Sequence, residues 1–182
     1  QVYLLDTNVW IFYLKSVLDN VSFSVAFSDD KLPYVRFVEE LLDHDSAKIG
    51  ICLSGFSELI NTYLGRVALP SYYESNPRPD KKRMNLKDYR LDTSSDYYFR
   101  LQDIKTTLSK KNKFEFLHDN SFVTSFDTLR EDFFLQIGMD ANDYIYAIAA
   151  KSASWVLVTD DADMKFPDVQ ILTCNNKLLP RT

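Results

Sequence analysis

The sequence contains few of the residues that bind structural zinc or build disulfide frameworks. There are two cysteines and two histidines among 182 residues. Cys52 and Cys174 lack metal-like spacing and lie in apolar contexts, which favours reduced thiols over a disulfide. His44 and His118 each adjoin an aspartate in a polar stretch, which favours a surface position for both. The absence of a His/Cys cluster argues against a structural zinc site.

Long apolar segments are also absent. No run approaches the roughly 20 residues of a membrane-spanning helix, and the apolar residues 2–5 lead directly into Asp6. We therefore expect no membrane association and no signal peptide. Hydrophobic residues make up 46% of the chain and aromatic residues 14%, without repeats or low-complexity tracts. This composition predicts one soluble, cytoplasmic domain spanning 1–182 with a packed core.

Positive charge is concentrated in one segment of an acidic chain. The formal net charge is -5, yet residues 77–113 hold eleven Lys and Arg against five Asp, a net of +6. The remainder therefore carries -11. From Ala68 to Ser95 the regular pattern breaks, with three prolines and mixed charges. We predict a long exposed insertion at about 68–120, containing helical and loop segments.

Short apolar strands alternate with helices along the chain. Strands are predicted at 2–5, 49–52, 122–126, 155–158 and 169–174. Helices are predicted from Thr7 or Asn8, from Pro33, from Ser54 or Ser57, over 97–108, after Asp127 and over 142–152. This alternation predicts an α/β sandwich around a mainly parallel sheet.

Acidic residues recur near the ends of these elements. They are Asp6 after the first strand, Glu58 in the helix after the second, Asp143 in the first turn of helix 142–152, and Asp160, Asp161 and Asp163 after strand 155–158. Ligands bind at the carboxyl ends of parallel strands, where these acids would meet. A divalent cation such as Mg²⁺ or Mn²⁺ would relieve their repulsion, and such ions commonly hydrolyse phosphodiesters.

Each acid has an ordinary structural explanation when taken alone. Asp6 could cap a helix, and Asp143 could complement the dipole of one. Glu58 could be a solvated helix residue, and residues 160–163 could form a surface turn. The whole set, in this order, favours a metal site.

Three stretches of the sequence resemble the motifs of PIN-domain nucleases. YLLDTNVWIFYL is similar to the opening motif, SGFSELINTYLGR to the second, and NDYIYAIAAKSASWVLVTDDADM to the third and fourth. The resemblance covers the two ends of the chain and none of the middle. It implies a three-layer α/β/α sandwich with a central, mainly parallel sheet, and a VapC-like endoribonuclease that depends on Mg²⁺ or Mn²⁺.

The resemblance also implies roles for individual residues. The catalytic and metal-binding acids are Asp6, Glu58, Asp143 and Asp161, with Asp163 as a secondary metal candidate and Asn8 and Thr159 as supporting polar residues. Three aspartates would position one or two ions, and Glu58 would add a ligand or orient the attacking water. The products would be a 5′-phosphate and a 3′-hydroxyl. Asp160 falls where the family varies and stays outside the set.

The basic segment departs from the small toxin-type members of the family. The spacing from Glu58 to Asp143 is 85 residues. Candidates for binding RNA phosphates are Arg78, Lys81, Lys82 and Arg83, with Tyr72, Tyr73 and Tyr89 available for stacking on unpaired bases. A solvated insertion that balances the acidic remainder is the alternative.

Several functions stay open at this point. The leading one is an endoribonuclease acting on RNA, as the toxin of a toxin–antitoxin pair with an antitoxin partner and with a homodimer as an open question. The first alternative is a non-catalytic RNA- or protein-binding module. The second is a Mg²⁺-dependent phosphatase, against which Asn8 argues because phosphatases of the haloacid-dehalogenase type need an aspartate there.

Overall fold

A computed structural model describes residues 1–18, 30–76, 85–91, 96–109, 113–118, 140–166 and 168–178. It divides into two compact units, one of Gln1–Ser57 with Lys111–Thr182 and one of Glu58–Lys110. The predicted strand 122–126 and the helix after Asp127 lie outside the described residues. The insertion predicted at 68–120 overlaps the second unit and stays a prediction.

The described elements alternate between strands and helices in the first unit. The strands are β1 (Val2–Leu5), β2 (Lys48–Cys52), β3 (Phe114–Leu117), β4 (Val156–Val158) and β5 (Ile171–Leu172). The helices in chain order are α1 (Thr7–Leu18), α2 (Leu32–Asp43), α3 (Leu53–Tyr63), α4 (Leu69–Ser75), α5 (Leu86–Leu91), α6 (Asp96–Leu108) and α7 (Ala141–Ala153). None of the described helices is long and apolar enough to cross a bilayer.

The sheet of the first unit is parallel throughout. Its strand order is β3-β2-β1-β4-β5, so β1 lies at the centre with a neighbour on each side. Leu4 pairs in register with Gly50 of β2 and with Leu157 of β4. The predicted α/β fold with a mainly parallel sheet is confirmed.

The core of the first unit explains why the central strands are apolar. Leu4, Ile49 and Leu157 are at most 1% exposed, and burial of such side chains is the main stabilising contribution to folding. A Cβ atom at Gly50 would lie 2.4 Å from the Trp155 ring. Only glycine therefore lets the indole pack directly on β2.

The described part of the second unit is helical. Residues 64–68 form a π-helical turn between α3 and α4, where the Leu69 N–H donates to the Leu64 carbonyl. Tyr89 is 1% exposed, contacts the rings of Tyr72 and Tyr97, and donates a hydrogen bond to Asp96. The prediction that Tyr89 stacks on bases is therefore wrong, because its ring lies in the core of this unit.

Element boundaries differ from the sequence predictions at several places. The strand at 114–117 was not predicted, and strand 169–174 is shorter, with β5 covering only Ile171–Leu172. Helix 142–152 is confirmed as α7. Helix α1 begins at Thr7. The residue at the position before the helix, where an N-cap stands, is therefore Asp6 rather than Thr7 or Asn8.

Candidate functional site

The carboxyl ends of β1, β4 and β5 lie side by side, and polar residues follow each of them. We call residues 6–8, 159–163 and 173–175 the carboxyl edge of the sheet. The Asp6 N–H donates to the Val158 carbonyl at 2.9 Å, and the Thr159 N–H donates to the Leu172 carbonyl at 3.2 Å. These bonds extend the ladder beyond the strands and fix where the polar side chains begin.

Asp6 is a buried carboxylate with a hydrogen-bond donor from another strand end. It is 5% exposed, and Thr159 is fully buried. The Thr159 hydroxyl donates to Asp6 Oδ2 at 2.8 Å, and Thr159 Oγ1 itself accepts the Asp161 backbone N–H at 2.9 Å. A buried carboxylate is unfavourable without such a donor. Thr159 thus joins Asp6 to Asp161, two of the residues predicted to form the site.

Asp161 and Asp163 form a local turn at the same edge. Asp161 Oδ1 accepts the Asp163 N–H at 2.9 Å, which is the geometry of an Asx turn. Asp161 is half-buried and Asp163 is exposed. The surface-turn explanation therefore applies to this pair, while Asp161 also belongs to the buried network with Thr159.

The direction of α7 places its first turn, which contains Asp143, towards the carboxyl edge. Helix α7 ends at Ser154, whose left-handed φ of 55° turns the chain directly into Trp155 and β4. Its first turn, with Asp143 half-buried, therefore lies towards the opposite end of that strand. Asp140 caps the helix by accepting the N–H groups of Asn142 and Asp143 at 2.8 and 2.9 Å.

A buried tyrosine joins three helices at the same edge. The Tyr146 hydroxyl lies 2.9 Å from Thr7 Oγ1 and donates to the Gly55 carbonyl at 3.4 Å. Thr7 is 4% exposed, whereas the neighbouring Asn8 is exposed in the first turn of α1. Tyr146 thus connects the starts of α1 and α3 to the helix that carries Asp143.

A second tyrosine holds the backbone of the carboxyl edge. Tyr34, 2% exposed, donates to the Thr159 carbonyl at 3.1 Å and accepts the Cys174 N–H at 2.8 Å. Thr173 Oγ1 lies 3.1 Å from the same hydroxyl. Burial raises the pKa of Tyr34, so the hydroxyl remains protonated and able to donate at neutral pH.

Asp160 is paired with a cation. Lys31 Nζ lies 2.6 Å from Asp160 Oδ2, 3.0 Å from Asp30 Oδ2 and 5.6 Å from the centroid of the Phe12 ring. Burial alone would lower the pKa of Lys31, but its hydrogen bonds to Asp160 and Asp30 outweigh that effect and raise it. The charge of Asp160 is thus balanced by a lysine of this chain.

The remaining candidate residues are Glu58 and the four basic residues of the insertion. Glu58 is half-buried in α3, within the second unit. The basic residues proposed to bind phosphates lie outside the described residues: Arg78, Lys81, Lys82 and Arg83. Sequence reasoning missed Tyr34 and Tyr146 as site residues, because tyrosines on apolar helix faces look like core residues.

The carboxyl edge supplies the kind of ligand atom that a hard cation prefers, but few carboxylates to surround one. Its side chains supply oxygen atoms, which Mg²⁺ and Mn²⁺ prefer. Over the described ranges, no group of three Asp, Glu, His or Cys side chains is arranged to hold a metal ion. Mg²⁺ commonly uses one or two carboxylates and keeps several waters. Asp6 and Asp161 supply two carboxylates at this edge, which is the number that such binding uses.

Comparisons with known proteins support the fold. No family model and no curated protein matches the sequence. Among solved structures, the chain is similar to a chain of VapBC2 from Rickettsia felis, in a crystal structure of VapBC2 bound to a DNA fragment from its promoter. The TM-score is 0.54 at 16% identity, over 95% of this chain and 98% of that chain. At this identity the similarity shows a shared, PIN-like α/β fold, and activity must be argued from the site.

Proposed function

We propose that the chain is a metal-dependent endoribonuclease of the VapC-like PIN type, which hydrolyses phosphodiester bonds of RNA. The observation that carries the proposal is the buried hydrogen-bonded path Asp6–Thr159–Asp161. It links the Asp6 carboxylate to the backbone N–H of Asp161, so two acidic residues from different strand ends lie at the edge of a parallel sheet, where ligands of such folds bind. The fold shared with a chain of VapBC2 is compatible with this proposal, which rests on the site and on the motif resemblance.

The proposed cofactor is Mg²⁺ or Mn²⁺. When bound, it would activate a water molecule and offset the negative charge that develops on the phosphodiester. Asp6 and Asp161 would hold it directly, with Asp143 reached through water and Asp163 as a further ligand candidate. Thr159 orients Asp6 through the 2.8 Å bond. Glu58 would add a ligand or orient the attacking water, a role that rests on the motif resemblance alone.

The substitution Asp6→Asn tests the catalytic proposal. It keeps the size and shape of the side chain and removes its charge, so we expect the fold to persist. Cleavage of a labelled single-stranded RNA in Mn²⁺ should fall by more than the roughly 100-fold typical of outer-shell changes. Asp168→Asn is the matched control, since Asp168 is an exposed aspartate on the amino side of β5. Full activity in Asp6→Asn would contradict the proposal.

A non-catalytic binding module is the second candidate. It is supported by the absence, within the described residues, of three acids grouped around one point. The two candidates differ in their response to metal. A nuclease should cut RNA with Mn²⁺ and stop with a chelator, and Mn²⁺ should raise its melting temperature. RNA that is bound but uncut, with equal affinity for wild type and Asp6→Asn, would favour the binding module.

An antitoxin protein is the proposed partner, by analogy with the VapBC2 complex. The test is co-expression with any small gene found adjacent to that of this chain, followed by purification on a tag carried by this chain. A stable complex that suppresses RNA cleavage would support a toxin–antitoxin role. Sedimentation of the purified chain alone would show whether it forms a homodimer.

A further inference from the structure

The Tyr34 hydroxyl connects α2 to the ends of β4 and β5, and none of the motifs includes it. We propose that Tyr34 is a positioning residue of the carboxyl edge. Its hydroxyl holds the Thr159 peptide, and the Thr159 side chain in turn orients the Asp6 carboxylate and the backbone of Asp161. In its catalytic consequence the inference rests on the proposed function, while its structural part can be measured independently.

All hydrogen-bonding positions of the Tyr34 hydroxyl are occupied. A tyrosine hydroxyl offers one donor and can accept two bonds. The hydroxyl donates to the Thr159 carbonyl at 3.1 Å, and its oxygen accepts a hydrogen bond from the Cys174 N–H at 2.8 Å. Its second acceptor position faces Thr173 Oγ1 at 3.1 Å. A hydroxyl so fully bonded and 2% exposed is held in one orientation.

Thr159 in turn restrains Asp6 and Asp161. Its N–H donates to the Leu172 carbonyl and its carbonyl accepts from Tyr34, so both sides of its backbone are fixed. The β-branched side chain has little freedom about χ1 once the backbone is fixed. Its hydroxyl therefore points at Asp6 Oδ2 and at the Asp161 N–H, at 2.8 and 2.9 Å.

Packing alone does not account for a tyrosine at this position. The Tyr34 ring contacts the Phe12 ring at a centroid distance of 6.0 Å, and a phenylalanine would keep that contact. The hydroxyl is the part of Tyr34 that hydrogen-bonds to the carboxyl edge. Tyr34→Phe therefore separates the positioning role from the packing role.

The test compares Tyr34→Phe with Tyr13→Phe as the matched control. Tyr13 is buried at 4% exposure in the same unit, and Glu39 and Asp43, which are not carboxyl-edge residues, raise its pKa after burial itself. The first readout is amide hydrogen exchange of Asp161 by NMR. We expect exchange about tenfold faster in Tyr34→Phe, in line with the loss of about one hydrogen bond's stabilisation, and unchanged in Tyr13→Phe.

Two further readouts concern the ion and the reaction. Mn²⁺ affinity, measured by calorimetry, should fall about 10- to 100-fold in Tyr34→Phe, as for other outer-shell partners. The kcat for RNA cleavage should fall with KM unchanged, because RNA does not contact a side chain this deeply buried. The double variant Tyr34→Phe with Thr159→Val should have the same kcat as Thr159→Val alone, because Tyr34 acts on the reaction through Thr159.

The outcomes separate this inference from the proposed function. Unchanged Asp161 exchange in Tyr34→Phe would overturn the positioning role, as would an equal change in Tyr13→Phe. A wild type that neither binds Mn²⁺ nor cuts RNA would refute the nuclease. In that case faster Asp161 exchange in Tyr34→Phe would still support the structural role of the hydroxyl.

Discussion

The two ends of the same parallel sheet differ in how far their paired polar side chains are buried. At the amino edge, which comprises Gln1, residues 44–48 and the β3 strand start, the ion pair Lys48–Glu115 spans 3.4 Å with side chains 51% and 42% exposed. At the carboxyl edge, Thr159 and Asp6 bond at 2.8 Å while 0% and 5% exposed.

The difference favours the carboxyl edge as the candidate site. Exposed ion pairs such as Lys48–Glu115 contribute little stability because water and salt screen them. The amino edge also holds a less exposed cation, Lys113, whose Nζ lies 3.8 Å from Asp45 Oδ1. Buried polar groups are unfavourable unless each finds a partner, and a sheet end could be closed by apolar residues instead. The carboxyl edge keeps such groups and satisfies them across several elements, as expected where reacting groups must be held in place.

The largest stability difference between the two edges should come from Thr159→Val. Valine has the shape of threonine but leaves Asp6 without the donor of its 2.8 Å bond, and the Asp161 N–H without its acceptor. We expect the free energy of unfolding in urea to fall by about 1 to 3 kcal/mol. At the amino edge, Ser46→Ala removes an exposed hydroxyl 3.1 Å from His44 Nδ1 and should cost under about 0.5 kcal/mol. Equal losses would contradict the comparison.

A smaller loss should follow from Tyr146→Phe. This change removes the hydroxyl that lies 2.9 Å from Thr7 Oγ1 and 3.4 Å from the Gly55 carbonyl, while keeping the ring. Because the remaining groups are buried, we expect a loss of about 1 kcal/mol, seen as a lower melting temperature. Tyr13→Phe serves as the control. A Tyr146→Phe protein as stable as wild type would show that this link between the helices is unimportant.

The sequence was informative wherever a residue's position along the chain determines its position in the fold. Apolar strands alternating with helices predicted the parallel sheet, and an acid directly after a strand must lie at its carboxyl end. Asp6 and Asp161 could be placed at one edge for that reason. Strand β3 was missed because its four residues, FEFL, are interrupted by a charge, and of its two aromatics Phe114 is half-buried and Phe116 exposed.

Contacts between residues far apart in the sequence could not be predicted. Tyr34 and the Thr159 carbonyl are 125 positions apart, and Tyr146 and Thr7 are 139 apart. Helical spacing shows that such tyrosines are buried but does not reveal what their hydroxyls meet. The same ambiguity led to the error at Tyr89, whose ring is buried beside Asp96 rather than presented to bases.

The smallest effect concerns two lysine pairs, one at each edge, and their dependence on pH. Lys31 lies 2.6 Å from Asp160, with side chains 23% and 16% exposed, and its pKa is raised above the ordinary value of about 10.4. A lysine with a raised pKa stabilises the fold fully below about pH 10.4, and the stabilisation disappears as pH rises through the higher folded value. The Lys48–Glu115 pair is longer and more exposed.

Lys31→Met and Lys48→Met measure this difference between the edges. Urea unfolding should show Lys31→Met less stable than wild type by up to about 1 kcal/mol at pH 8, and the gap should shrink towards pH 11. Lys48→Met should stay within about 0.5 kcal/mol of wild type at pH 8. Since other groups titrate in both proteins, the difference between variant and wild type isolates the pair. A gap that widens with pH for Lys31→Met would mean that burial, rather than Asp160, governs this lysine, and that the carboxyl edge bears an unbalanced charge.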